Sequence, residues 1–305
     1  MDISFVVITF NMDRELPRTL LSLSRNYQLA TQGIEYEILV VDNGSRPPFG
    51  RERVEGRGPE FHYLYLENPL PSPAFALNQG VRQAHGKIVC LMIDGARIAT
   101  PGLVRWAYAA FQAFEDPTVG VLGWHLGPQL QNRAISAGYN PELEDALLQK
   151  IGFPENGYRL FEISVFAGSC RGGWFAPMAE SNAVFLRKES YWSIGGFDER
   201  FDVPGGGLLN LDFYRRAVLR ERSESVILLG EGLFHQIHGG IATNTGEQDL
   251  KRKVQDWKAQ YQEIRGEEFQ RPKKKPVYLG TIPGPALASI EASAQNAITN
   301  RFEWE

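Results

Sequence analysis

Cysteine is scarce in this chain. Cys90 and Cys170 are too few and too far apart for a disulfide framework or a zinc motif. A reducing compartment fits that usage, and the cytoplasm is the expected location. Long apolar runs are also missing. The opening run Ile3–Ile8 lacks a basic flank, so no signal peptide is expected, and no segment reaches the roughly 20 apolar residues of a membrane helix. Positive charge is not in excess. The net charge is −4, which gives nucleic acid no bulk attraction. The one basic cluster, Lys273-Lys274-Lys275, reads as a solvated linker or, at most, a weak peripheral contact with an anionic membrane surface. The G-x-G-x-x-G turn of dinucleotide enzymes is absent from the first strand–helix junction. So is any internal repeat.

What is present is a pattern of buried strands alternating with helices. Phe5–Ile8, Ile38–Val41, Ile88–Ile93 and Val119–Gly123 are continuous apolar runs, as parallel strands covered on both faces require. Leu16, Leu20, Leu23 and Tyr27 fall on one helical face behind Asp13 and Pro17. Further helices are expected near Leu77–Ala84 and Pro101–Phe114. This order predicts an α/β fold with a mostly parallel sheet flanked by helices, and ligands beyond the carboxyl ends of its strands. Three of those ends carry polar tips: Asn11, Asp42 and Asp94.

The regular pattern breaks over 125–180, which is expected to be an irregular insertion on the acceptor side of a domain spanning 1–243. Strands return near Ser181–Leu186 and Val226–Gly230. Residues 244–305 are expected to form a helical extension. In it, Leu250, Val254, Trp257, Tyr261 and Ile264 make an apolar stripe. That stripe would pack either on its own domain or on a second subunit, as in a homodimer. A Pro/Lys-rich linker follows over 271–285, then a short helix over 286–298.

Four segments bear on function: VVITFN at 6–11, EILVVDNGS at 37–45, ALNQGVRQAHGKIVCLMIDGA at 76–96 and SNAVFLRKESYWSIGGFDERF at 181–201. In this order they resemble the family 2 glycosyltransferases, over residues 3–240. The resemblance implies a GT-A-like nucleotide-binding domain. It also implies transfer of a sugar, with inversion, from a nucleotide-sugar donor to a hydroxyl on a saccharide or lipid-linked acceptor. UDP is the expected nucleotide.

It further implies roles for residues. Asp42 would hold the base or ribose, with Thr9, Phe10 and Asn11 lining the base, and Asn78 and Gly80 would approach the nucleotide. Asp94 matches the first aspartate of the family's Asp-any-Asp metal motif, with Gly95 after it. Ala96 stands where the second aspartate is expected. The departing diphosphate would then be neutralised by Arg97, or by Mn²⁺ or Mg²⁺ held by Asp94 with His238 or His235. The family's base position falls on Asn210 if Asp212 aligns with the following aspartate. Asp212, Glu180 and Asp198 are therefore the candidate bases. Trp174 and Trp192 could stack on an acceptor, and Gly205-Gly206-Gly207 allow close backbone approach. The rival readings are a non-catalytic nucleotide-sugar-binding protein and a nucleotidyltransferase. The second lacks the Gly-rich basic loop it would need after the first strand.

Overall fold

The computed structural model describes residues 1–240, 247–302 and 304. The first half runs β1 (Ile3–Thr9), α1 (Leu16–Leu23), β2 (Tyr36–Asp42), α2 (Arg51–Glu55), β3 (Phe61–Tyr65), α3 (Ala74–Gln83), β4 (Ile88–Met92), β5 (Arg97–Ala99), α4 (Leu103–Ala113) and β6 (Pro117–Leu126). The second half runs α5 (Gln131–Ser136), α6 (Pro141–Lys150), β7 (Ser164–Phe166), β8 (Val184–Arg187), α7 (Lys188–Ser193), α8 (Leu209–Val218), β9 (Glu224–His235), α9 (Glu247–Arg265), β10 (Val277–Gly280) and α10 (Leu287–Asn300).

The strands form one ten-stranded mixed sheet in the order β10-β9-β6-β8-β4-β1-β2-β3, with β5 on β9 and β7 on β6. Strands β1, β2, β3 and β4 pair in parallel, as do β6, β9 and β10. β8 joins the two groups by antiparallel pairing with β4 and β6. The apolar runs are continuous because alternate residues enter different cores. Val6, Ile8, Leu39 and Val41 face one core, with Leu77 and Val81 of α3. Phe5, Val7, Ile38 and Val40 face the other, with Leu16, Leu20 and Leu23 of α1. Each of those fully buried leucines stabilises the fold by about 1.5–3 kcal/mol. Gly80 lets α3 lie against the sheet, since a Cβ there would come 2.3 Å from Val6 Cγ1.

Two expectations about organisation need correction. The stretch 125–180 is not irregular: it contains α5, α6 and β7. α6 starts in an ordinary way, with the Asn140 side chain accepting the Leu143 N–H and Pro141 in the first turn. The C-terminal part is also not a mere helical extension. β10, inside the expected linker, pairs with β9 from Val277↔Val226 to Gly280↔Leu229, so the region completes the main sheet. Lys274 donates to the carbonyls of Ser223 and Arg220, so the lysine run is docked at its centre. The C-terminal part of the α9 stripe packs on its own domain, where Tyr261 is buried against Phe201 and Phe269, while Leu250 and Val254 stay half-buried. Among the described residues no helix is long and apolar enough to cross a membrane.

Candidate functional site

The site forms where β4, β5, β6 and β9 meet. The chain leaves β4 and turns at Gly95, where a Cβ would sit 2.8 Å from the Ile8 carbonyl, so the turn passes close over β1 only because the residue is glycine. Asp94 is held at this turn, its Oδ1 accepting the Ala96 N–H at 2.9 Å. The chain then enters β5, whose antiparallel register places Arg97 opposite His235 at the end of β9. The parallel register of β6 on β9 places His125 opposite the same histidine.

These registers gather charge at one point. Asp94 Oδ2 lies 2.8 Å from His235 Nε2, 3.5 Å from His238 Nε2 and 3.4 Å from Arg97 Nη2. The two histidine Nε2 atoms are 3.0 Å apart. Burial alone would raise the Asp94 pKa, but His238, His235 and Arg97 outweigh it and hold the carboxyl well below the usual range. Burial, then Arg97, drives the His235 pKa down and keeps the ring neutral. His238 goes the other way: burial disfavours its charge, yet Asp94 prevails and raises its pKa. His125 is pushed down to about 3, by burial and then by Arg97. Arg97 is 8% exposed, and its Nε and Nη1 have no hydrogen-bond partner. Arg97 lines the cleft and brings positive charge to it beside Asp94, which suits an anionic ligand.

The three ligand atoms of Asp94, His235 and His238 lie within 4.8 Å of one another. One carboxylate and two imidazoles fit a divalent first-row ion such as Mn²⁺ better than Mg²⁺, which prefers oxygen ligands. The donor set therefore fits the expected cation without the missing second aspartate.

The cleft around this point has a volume of about 1690 Å³. Phe10, 53% exposed, reaches into it, as do Asp94, Arg97, His235 and His238. Thr9 is buried at the end of β1, its hydroxyl without a partner. Asn11 has a left-handed backbone (φ 53°) and ties two loops together: its N–H donates to Ser45 Oγ and its Oδ1 accepts the Arg46 N–H.

Asp42 does not face the cleft as expected. It is enclosed, and its oxygens accept the Ser45 and Phe49 N–H groups and the Tyr63 hydroxyl, so its charge organises the loop. Its neighbour Asn43 lines the cleft instead, with a buried Oδ1 that has no partner. Asn78 and Gly80 also need correction. The Asn78 amide donates to the Phe197 carbonyl and Glu199 and accepts from Phe197 and Tyr191, pinning α3 to the Gly195–Glu199 turn. Gly80 serves helix–sheet packing.

The three candidate bases separate clearly. Asp212 is 1% exposed on α8 and is paired with Arg216 and Arg265. Asp198 pairs with Arg200 and Arg265, and Arg200 is the main reason its pKa falls to about 2. Neither lines the cleft. Glu180 does, and its Oε2 accepts from Asn210 Nδ2 at 2.7 Å. Asn210 thus stands beside the acid that could serve as base. Trp174 is not on the cleft. It is fully buried among Trp124, Phe161 and Phe166, with its indole N–H on the Leu228 carbonyl. Trp192 lies under Arg82 at a separate small pocket. Trp257 of α9 lines the cleft, against Gly207.

The ten-stranded mixed sheet flanked by helices, shared with the solved glycosyltransferase structures below, is a GT-A-like α/β fold. Residues 4–180 match the sequence model of the family described as Glycosyl transferase family 2, and the chain belongs to that family. It is 28% identical over 224 residues to a validoxylamine A glucosyltransferase of Streptomyces hygroscopicus subsp. limoneus, covering 69% of this chain and 47% of the relative. It is 26% identical over 207 residues to the O-antigen biosynthesis protein RfbC of Myxococcus xanthus, covering 66% of this chain and 15% of that protein. The chain thus spans less than half the length of either relative. Among solved structures, S. aureus TarS 1-349 in complex with UDP-GlcNAc aligns with TM-score 0.51 and 14% identity, over 86% of this chain and 67% of that one. The mannosyltransferase PcManGT from Pyrobaculum calidifontis, in complex with GDP-Man and Mn²⁺, aligns with TM-score 0.50 and 16% identity, over 98% of this chain and 70% of that one.

Proposed function

We propose that this chain transfers a sugar, with inversion, from a nucleotide-sugar donor to an acceptor hydroxyl. UDP is the proposed nucleotide. The observation that carries the reading is the buried Arg97 guanidinium, its Nε and Nη1 unbonded, beside Asp94, His235 and His238 at the carboxyl edge of the sheet. A leaving diphosphate needs positive charge where its own negative charge develops, and a preorganised buried donor supplies it most effectively. That solved structures of similar fold carry UDP-GlcNAc or GDP-Man supports a sugar diphosphate as the ligand.

In this reading Phe10 and Asn43 bound the base. Arg97 supplies positive charge to the diphosphate from the wall of the cleft. Asp94, His235 and His238 would hold a divalent cation, which when bound supplies Lewis-acid stabilisation to the same leaving group. Glu180 takes the proton of the acceptor hydroxyl as that oxygen bonds to the anomeric carbon and the bond from that carbon to the diphosphate breaks. Asn210 orients Glu180. The acceptor, a saccharide or lipid-linked hydroxyl, would lie along the wall formed by Leu211, Val254 and Trp257.

A non-catalytic binding role is the competing reading, favoured by Ala96 and Asn210 at positions where the family has carboxylates. The test is a turnover assay with UDP-glucose, UDP-GlcNAc and GDP-mannose, Mn²⁺ and a panel of glycoside acceptors. Release of free nucleoside diphosphate that is lost in Glu180→Gln supports transfer. Binding of donor with no release from any of them supports the competing role.

A further inference from the structure

α5 lies in the insertion, and its first residue grips the site. Gln131 is fully buried, and its amide meets His235 twice: Nε2 donates to the His235 carbonyl at 2.9 Å, and Oε1 lies 2.6 Å from His235 Nδ1. The orientation of this amide is forced. A carbonyl only accepts, so the NH₂ group must face it, and the reversed amide would set two oxygens against each other. Oε1 then has no proton to give, so Nδ1 must carry one. With Nδ1 protonated and turned to Gln131, Nε2 is the one ring nitrogen left to bind an ion. A neutral ring protonated at Nδ1 has a bare lone pair on Nε2. That lone pair faces Asp94 Oδ2 at 2.8 Å and His238 Nε2 at 3.0 Å. Two acceptors at 2.8 Å repel unless a positive centre lies against both, a metal ion or, in its absence, the Nε2–H of His238.

We propose that Gln131 is a positioning residue that fixes the Nδ1–H tautomer of His235 and so reserves Nε2, together with Asp94 and His238, for a cation. This deepens the proposed function and rests on its reading of Asp94, His235 and His238 as one site. A bracing role at the end of β9 would need only the bond to the His235 carbonyl and would leave the tautomer free. The bond to Nδ1 is what adds specificity, as outer partners of metal-binding histidines do generally.

The test uses the full chain labelled with ¹⁵N-histidine and free of metal and nucleotide. Long-range proton–nitrogen spectra should show His235 with a protonated Nδ1 and a bare Nε2. Gln131→Met, similar in length but without hydrogen bonds, should shift the ring towards Nε2–H, which then donates to Asp94. The affinity for Mn²⁺ alone, read from the spin-resonance signal of free Mn²⁺, should fall by about 10- to 100-fold. A wild-type ring protonated at Nε2 overturns the proposal, and so does a Gln131→Met variant with the same tautomer and the same Mn²⁺ affinity. Wild-type protein that binds no Mn²⁺ overturns the reservation for a metal ion. Should Gln131→Met fail to fold, the wild-type spectrum still decides the tautomer. None of these readouts requires turnover, so loss of the transferase reading alone would leave them standing.

Discussion

Replacing Arg97 with methionine should make the protein more stable and a weaker binder of nucleotide. Arg97 meets Asp94 through Nη2 at 3.4 Å, while its Nε and Nη1 stay buried without partners. Each unsatisfied buried donor costs about 1–3 kcal/mol. Methionine has an apolar chain that can occupy much of the same space. Arg97→Met removes two such costs and gives up the Asp94 contact, while His235 and His238 remain beside that carboxylate. The net gain should be about 1–3 kcal/mol, as commonly found when a strained functional group is neutralised. At about 2.1 cal/mol/K of unfolding entropy per residue, this raises the melting temperature by about 2–5 °C for a chain of 305 residues. The same change removes a charge-assisted contact to diphosphate worth about 1.5–3 kcal/mol. That is about 10- to 150-fold in Kd. Thermal melts without nucleotide and calorimetric titrations with UDP and GDP measure the two effects separately. A less stable Arg97→Met variant with unchanged nucleotide affinity would refute the argument, because Arg97 would then be a structural ion-pair partner.

Other substitutions separate catalysis from structure. Glu180→Gln should lower turnover by about 10²- to 10⁴-fold, as loss of a general base does, and leave the melting temperature near that of the parent. Asp212→Asn should do the reverse: it strands Arg216 and Arg265 and costs about 3–5 kcal/mol in urea unfolding, while the folded molecules still turn over. Gly80→Ala should cost about 1–3 kcal/mol by overpacking against Val6, with nucleotide affinity unchanged in titrations of the folded protein. The pH dependence follows from Glu144 and Glu231, each raised by burial to about 7. Between roughly pH 4.5 and 7 the unfolded chain has released these protons and the native state keeps them. Stability should therefore fall with rising pH by about 1.4 kcal/mol per unit for each group, and level off above pH 7. Urea midpoints from pH 5 to 8 check this, and Glu231→Gln should remove its own share of the slope.

Much of the sheet was legible because burial on both faces leaves continuous apolar runs, and β1, β2 and β4 announce themselves that way. Asp94 was legible for a related reason: a carboxylate ending such a run has no packing role. The acids were harder to sort. Asp42, Asp198 and Asp212 carry the same chemistry as Glu180, and their distant partners decide which of them faces the cleft. Arg265, which occupies Asp212, is 53 residues away in sequence. α6 could have been found from Asn140, Pro141 and the acidic first turn, a local capping signal in a stretch otherwise read as irregular. Gln131 and His125 carried no such signal. They matter only through their contacts with His235, which cross strands and more than a hundred residues of chain.

The central claim is a sugar-diphosphate site built on Asp94 and Arg97. Calorimetric titration of the full chain with UDP, GDP and their sugar conjugates, with and without Mn²⁺, tests it most directly. The account predicts saturable binding of at least one of these ligands, weakened in both Asp94→Asn and Arg97→Met. If no ligand binds at millimolar concentration with or without Mn²⁺, or if one binds equally well to both variants, the site assigned here is not where a nucleotide sugar is held.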